Sequence, residues 1–334
     1  MNAPDALLQP KDYVTDQEVR WCPGCGDYAI LKAVLKTLAE VQADPAQTVF
    51  VSGIGCAARF PYYVESYGFH TIHGRAPAFA TGIKLANPEL DVWVVGGDGD
   101  LLSIGGNHLI HALRRNLDLQ ILLFNNEIYG LTKGQASPTS RRGTRSPSTP
   151  QGSLDAPVSA LKLALGAGAR FVARGVDTQQ KLLPEILKRA RAHTGSALVE
   201  ILQNCIVYND GVFEGITARA GEAETQLHLA HGEPLLFGIG RDKGLRLAAD
   251  GFGLEIGAAD DPGILRHDET NPLLATMLAT LEPPMPVAIG VLLDAPAATY
   301  EAQVAALEAA EADRIGITSL NSLMRQGATW SAPG

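Results

Sequence analysis

Residues 92–134 read VWVVGGDGDLLSIGGNHLIHALRRNLDLQILLFNNEIYGLTKG, and their reading decides the rest of the chain. The stretch opens on an apolar run, Val92-Trp93-Val94-Val95, which stops at Gly96-Gly97-Asp98-Gly99-Asp100. A helix is predicted next, with Leu101, Leu102, Ile104, Leu109, Ile110 and Leu113 on its apolar face. A second apolar strand over residues 119–124 ends in Asn125-Asn126-Glu127. Strands that are apolar throughout, joined through a helix, belong to a parallel α/β sheet covered on both faces. Ligands of such sheets collect at the carboxyl ends of the strands, which puts Asp98 and Asn126 at a candidate site.

Asp98 offers a hard carboxylate oxygen. Asn126, 28 positions later, offers an amide oxygen at the next strand end. Both suit Mg²⁺, which keeps open positions for phosphate oxygens and water. The helix start at Gly99 and Asp100 supplies unpaired backbone N–H groups and a positive dipole end, a seat for a diphosphate. A glycine turn after a buried strand would account for Gly97-Asp98-Gly99 alone; the second polar strand end at this spacing favours a site.

Composition bounds the alternatives. At 334 residues, 46% hydrophobic and 19% charged, the chain has material for a sizeable core in one large or two modest domains, and for extensive interfaces. A net charge of −9 disfavours a nucleic-acid partner but not a small anionic substrate in a local pocket. No apolar run reaches the roughly 18 residues of a membrane span, and the first residues do not resemble a signal peptide. A cytoplasmic enzyme is expected.

The four cysteines are Cys22 and Cys25, in a CxxC, then Cys56 and Cys205. Without a secretion signal two disulfides are disfavoured. Structural zinc more often uses two close pairs, four gathered thiolates can hold a [4Fe–4S] cluster, and a redox-active CxxC is the weaker fourth option. Spacing alone leaves zinc and cluster open.

Residues 27–41 read as an amphipathic helix through Ile30, Leu31, Val34, Leu35 and Leu38. A strand over 48–52 turns at Gly53-Ile54-Gly55-Cys56. Tyr62, Tyr63 and Tyr67 read as packing residues, and His70 as structural. Residues 76–86 look helical, stopped by Asn87-Pro88. Residues 137–153, rich in Ser, Thr, Pro and Gly, form a long connection that covers the site, meets a partner subunit or is simply solvated. Alternation continues with a helix near 157–167, a strand at 170–174, a helix at 178–193 and a strand at 197–202. After 210 the texture changes to short strands near 235–238 and 253–256, an apolar run at 287–293 and an alanine-rich helix at 300–314.

The GDG followed by NN about thirty residues later resembles the thiamine-diphosphate enzymes. The longer strings RWCPGCGDYAI, FHTIHGRAPAFATGIKLANP, GDGDLLSIGGNH and NNEIYGLTKGQASPTS resemble the β subunit of 2-oxoacid:ferredoxin oxidoreductases, nearest the two-subunit type that acts on 2-oxoglutarate. The resemblance spans roughly residues 15–215 and covers four strings in the family's order. It implies a thiamine-diphosphate-binding α/β fold over residues 21–209, after an N-terminal segment 1–20 and before a smaller C-terminal subdomain or arm, 210–334. It favours the [4Fe–4S] cluster on Cys22, Cys25, Cys56 and Cys205. It implies Mg²⁺ on Asp98, Asn126 and the Ile128 carbonyl, and cofactor contacts from Ile54, Gly55, Cys56, Ala57, His73, Gly99, Asp100, Gly130 and Leu131. Arg59 and Lys133 would face the substrate. The glutamate that activates the thiamine ring would come from an α subunit, so the chain alone would be inactive and a dimer of αβ pairs is expected. The reaction implied is oxidative decarboxylation of a 2-oxoacid with coenzyme A as co-substrate and ferredoxin as electron acceptor. Pyruvate or another oxoacid, a non-redox thiamine decarboxylase or synthase subunit, and a Cys₄ zinc scaffold subunit are the alternatives.

Overall fold

The computed structural model describes residues 7–316, 319–328 and 330; the first six residues of the expected N-terminal segment and parts of the C-terminal arm lie outside them. The strands are β1 (Thr48–Ser52), β2 (Tyr67–His70), β3 (Asp91–Gly97), β4 (Gln120–Asn125), β5 (Phe171–Val176), β6 (Ala197–Leu202), β7 (Gln226–His228), β8 (Leu236–Phe237), β9 (Lys243–Leu247), β10 (Leu254–Ala258) and β11 (Val287–Asp294). The helices are α1 (Asp27–Glu40), α2 (Ala76–Ala86), α3 (Gly106–Arg115), α4 (Ala160–Gly166), α5 (Leu182–Ala192), the single turns α6 (Glu214–Thr217) and α7 (Glu222–Thr225), α8 (Pro272–Ala279), α9 (Tyr300–Ile315) and α10 (Leu320–Met324).

Eight strands form one sheet in the order β2-β1-β3-β4-β6-β5-β11-β7. The first six are mutually parallel, and β11 enters antiparallel to β5. The pattern of β3 explains its central place. Val92 and Val94 pack with α2, α3, α4 and α8 residues on one face, while Trp93 and Val95 pack with α1 and α5 residues on the other. All four are fully buried, each contributing about 1.5–3 kcal/mol for its side chain. The expected sheet with helices on both faces is what forms.

Helix ends follow local chemistry. Asn271 caps α8 by accepting from Leu273 N and Leu274 N, with Pro272 in the first turn. Asn116 closes α3 in a left-handed conformation, φ 54°. The helix predicted after Gly99 differs in detail. A π-type turn occupies residues 100–104 before α3 begins at Gly106. The wider turn rotates the register, so Ile104 is exposed and Ile110 only half-buried, against the predicted apolar face.

The region after 210 is shared between two sheets. Its strands β7 and β11 extend the main sheet, while β8, β9 and β10 form a small antiparallel sheet. Helix α9 is exposed along nearly its whole length. At the opposite edge β2 is exposed at every residue, with Tyr67 and Phe69 open. Parallel strands are normally covered on both faces. Of the three tyrosines read as packing residues only Tyr63 is buried; Tyr67, on the edge strand β2, and Tyr62, at the end of the 3-10 turn over Ala57–Tyr62, are exposed. His70 is likewise exposed, its ring edge-on to Tyr62 rather than in the core.

Candidate active site

The register of β3 against β4 pairs Gly97 with Phe124. Asp98 and Asn126 therefore leave neighbouring strands side by side. Asp98 is buried, and one of its oxygens, Oδ2, accepts from the hydroxyls of Ser137 and Thr139. Burial pushes its carboxyl up to about 6, with those two hydroxyls opposing the rise. Asn126 donates its amide N–H to Gln203 Oε1 at 2.7 Å, and its own Oδ1 accepts from Ile128 N at 3.2 Å. Ile128 is buried. Ser137 and Thr139 open the long connection, so its start forms a wall of the site while most of residues 141–152 are exposed.

Three loops meet on Asp100. Its Oδ1 accepts from Ile54 N at 3.1 Å, from Gly74 N at 2.7 Å and from His73 Nδ1. That contact leaves His73 Nε2 as the ring's other polar atom. The His73 ring lies edge-on to Tyr129, whose hydroxyl donates to the Gly99 carbonyl at 3.1 Å. A Cβ on Gly99 would lie 2.1 Å from the Tyr129 ring, so only glycine fits at this strand end.

The cysteines come together from distant positions. Trp21 Nε1 donates to the Cys56 carbonyl at 2.7 Å and anchors the CxxC turn, in which Cys25 N donates to Cys22 O at 3.0 Å. Gly26 N donates to Asn204 O at 3.1 Å, which brings the CxxC against the Cys205 loop. A Cβ at Gly130 would stand 3.5 Å from Cys205 Sγ and 3.8 Å from Cys56 Sγ, so those sulfurs face one spot. Burial pushes the Cys56 thiol up to about 12, followed by the charges of Asp27, Cys205 and Cys22. Burial and Asp27 also raise the Cys25 thiol, with Cys56 contributing. All four cysteines are free thiols in the bare protein, and thiols give up their protons to a metal group only when one binds. Among the described residues no group of three His, Cys, Asp or Glu converges tightly enough for a single ion.

The remaining predicted residues are spread around this centre. Ala57 is buried, Gly55, Cys56 and Gly130 are half-buried, and Ile54 and Leu131 are exposed. Arg59 donates from Nε to Tyr63 Oη at 3.0 Å and lies 6.0 Å from the Tyr62 ring centroid. Lys133 is exposed on the loop after Gly130, with φ 77°.

Sequence reasoning missed Ser137, Thr139, Gln203, Tyr129 and Asp27. It also missed Glu127, which pairs with Arg141 Nε at 3.0 Å and which burial raises to about 7. All but Gln203 lie inside the quoted strings RWCPGCGDYAI and NNEIYGLTKGQASPTS, where a polar residue close to a predicted ligand was the available signal; Gln203 lies outside them.

Residues 53–201, which include both strand ends, match the family model described as thiamine pyrophosphate enzyme, C-terminal TPP binding domain. Cys22, Cys25 and Cys205 lie outside that match. Over 336 residues the chain is 48% identical to the 2-oxoglutarate oxidoreductase subunit KorB of Mycobacterium tuberculosis, covering 98% of this chain and 89% of that one. It is 54% identical over 198 residues to the 2-oxoacid:ferredoxin oxidoreductase 1 subunit beta of Aeropyrum pernix, covering 59% of this chain and 62% of that one. A solved structure, the 2-oxoglutarate:ferredoxin oxidoreductase from Magnetococcus marinus with 2-oxoglutarate, coenzyme A and succinyl-CoA bound, superposes with a TM-score of 0.78 at 33% identity. It covers 96% of this chain and 97% of that one. The chain belongs to the family of 2-oxoacid:ferredoxin oxidoreductase β subunits.

Proposed function

We propose that this chain, paired with an α subunit, carries out the thiamine-dependent oxidative decarboxylation of a 2-oxoacid, 2-oxoglutarate foremost, with coenzyme A as acyl acceptor. Electrons would leave through a [4Fe–4S] cluster on Cys22, Cys25, Cys56 and Cys205 to ferredoxin. The observation that carries the reading is that the Cys56 and Cys205 sulfurs face one spot at Gly130, with the CxxC turn of Cys22 and Cys25 tied to both of their loops, next to the strand ends that present Asp98 and Asn126. The relatives named for 2-oxoglutarate, and the solved relative with 2-oxoglutarate, coenzyme A and succinyl-CoA bound, support 2-oxoglutarate as substrate and coenzyme A as co-substrate.

Bound thiamine diphosphate would supply the carbon nucleophile and electron sink for decarboxylation, and the cluster a one-electron outlet. Asp98, Asn126 and the Ile128 carbonyl would hold Mg²⁺, with Ser137 and Thr139 fixing the Asp98 carboxylate. Backbone N–H groups at Gly99 and Asp100 and the His73 ring would receive the diphosphate. Ile54, Gly55, Ala57, Gly130 and Leu131 would line the cofactor. Asp100 keeps these loops in register before anything binds, so little reorganisation remains for the reaction. Arg59, oriented by Tyr63, would grip a substrate carboxylate, and Lys133 would face the same end. The open β2 edge and exposed α9 suit coverage by the α subunit and by a second αβ pair. No helix among the described residues is long and apolar enough to cross a membrane.

The test is composition and turnover of the purified αβ complex. About four irons per β chain, bound thiamine diphosphate, and ferredoxin reduction that prefers 2-oxoglutarate in a panel of 2-oxoacids are expected. Zinc without thiamine, or an active iron-free complex, refutes the reading.

A further inference from the structure

Gln203 joins the two seats, although no sequence motif marks it. Its side chain is buried, with 1% of its surface exposed. A buried amide must have its polar atoms satisfied, and this one does. Oε1 accepts from Asn126 Nδ2 at 2.7 Å. Nε2 donates to the Asn204 carbonyl at 2.7 Å and to Cys25 Sγ at 3.4 Å. Both amide protons are used, and the orientation has no alternative: a flipped amide would set its oxygen against a carbonyl and a sulfur.

We propose that Gln203 is a positioning residue that couples the metal seat to the iron–sulfur seat. Its oxygen holds the Asn126 amide nitrogen, which leaves Asn126 Oδ1 as the atom available to a metal. Its nitrogen gives Cys25 an N–H···S bond. Such bonds favour the more electron-rich state of a cluster and raise its reduction potential. The same side chain therefore sets the ligand atom of Asn126 and the electron affinity of the group held by Cys25. This inference rests on the function proposed above and deepens it.

The experiment uses the purified αβ complex with Gln203→Leu and Gln203→Glu. Iron, thiamine content and the reducible visible absorbance of the unaltered complex come first; if iron is missing there, the proposed function fails, whatever Gln203 does. With the cluster present, Gln203→Leu removes both bonds. Its affinity for Mg²⁺–thiamine diphosphate, read by titration, should fall about tenfold or more, and the midpoint potential of the cluster should move down. Gln203→Glu keeps an acceptor for Asn126 and replaces the donor with a carboxylate. It should bind thiamine diphosphate as the unaltered complex does, with a potential lower than that of Gln203→Leu. Unchanged potentials in both variants, or equal losses of thiamine affinity, overturn the proposal. If Gln203→Leu fails to fold, Gln203→Glu decides alone: a lowered potential with retained thiamine affinity supports the coupling, and an unchanged potential overturns it.

Discussion

Asp98→Asn separates what the buried carboxylate costs the fold from what it does for binding. Burial lifts this carboxyl from its ordinary 3.8 to about 6 in the metal-free chain. Because the folded value lies above the unfolded one, ionisation works against the metal-free fold. The penalty is absent below the unfolded value near 4, grows between 4 and 6, and is fully present above 6. A shift of about two pKa units corresponds to about 3 kcal/mol. An amide has no charge to desolvate, and its oxygen still accepts from Ser137 or Thr139. Metal-free Asp98→Asn should therefore exceed the unaltered chain by about 2–3 kcal/mol at pH 8, a rise in Tm of several degrees, and lose that advantage by pH 4. With Mg²⁺ and thiamine diphosphate the order should reverse, since a neutral amide is a poor replacement for a carboxylate ligand. The assay is thermal unfolding of chelator-treated protein from pH 4 to 8, repeated with Mg²⁺ and thiamine diphosphate. A metal-free variant less stable at pH 8, or one that the cofactor stabilises as strongly as the unaltered chain, would refute the reasoning.

Gly99→Ala places a methyl 2.1 Å from the Tyr129 ring; overpacking of this kind costs about 1–3 kcal/mol. Denaturant unfolding should show that loss and titration a weakened thiamine affinity. Cys205→Ser should lose most of the roughly four irons expected per chain, read by iron analysis, while thiamine binding persists. Arg174→Met leaves Glu200 buried without its 2.7 Å partner, which should cost about 3–5 kcal/mol in unfolding experiments. Adding Glu200→Gln should recover much of that loss.

The strands and turns that build the centre of the fold were legible because each signal is local. An apolar run that stops at glycines or asparagines announces both a buried strand and its carboxyl end, as β3 with Asp98 and β4 with Asn126 illustrate. Helix α1 was equally plain, since Ile30, Leu31, Val34, Leu35 and Leu38 recur on one face and all are buried. What stayed hidden is non-local. Ser137 and Thr139 reach Asp98 across 39 and 41 residues, and Gln203 reaches Cys25 across 178. No periodicity encodes such meetings. Strand β9 escaped notice because Lys243 and Arg246 interrupt its apolar residues, and the addition of β7 and β11 to the main sheet depends on pairing that no single segment specifies. The π-type turn after Gly99 shifted side chains that a regular helix would have buried.

One oxygen atom, Asp100 Oδ1, takes hydrogen bonds from the loops after β1 and β2 while belonging to the loop after β3. Those three connections cannot loosen one at a time: releasing any of them leaves a buried carboxylate short of a donor and weakens its hold on the others. The cradle should thus open and close as a unit, and amide exchange at Ile54 and Gly74 should rise together whenever that knot is undone.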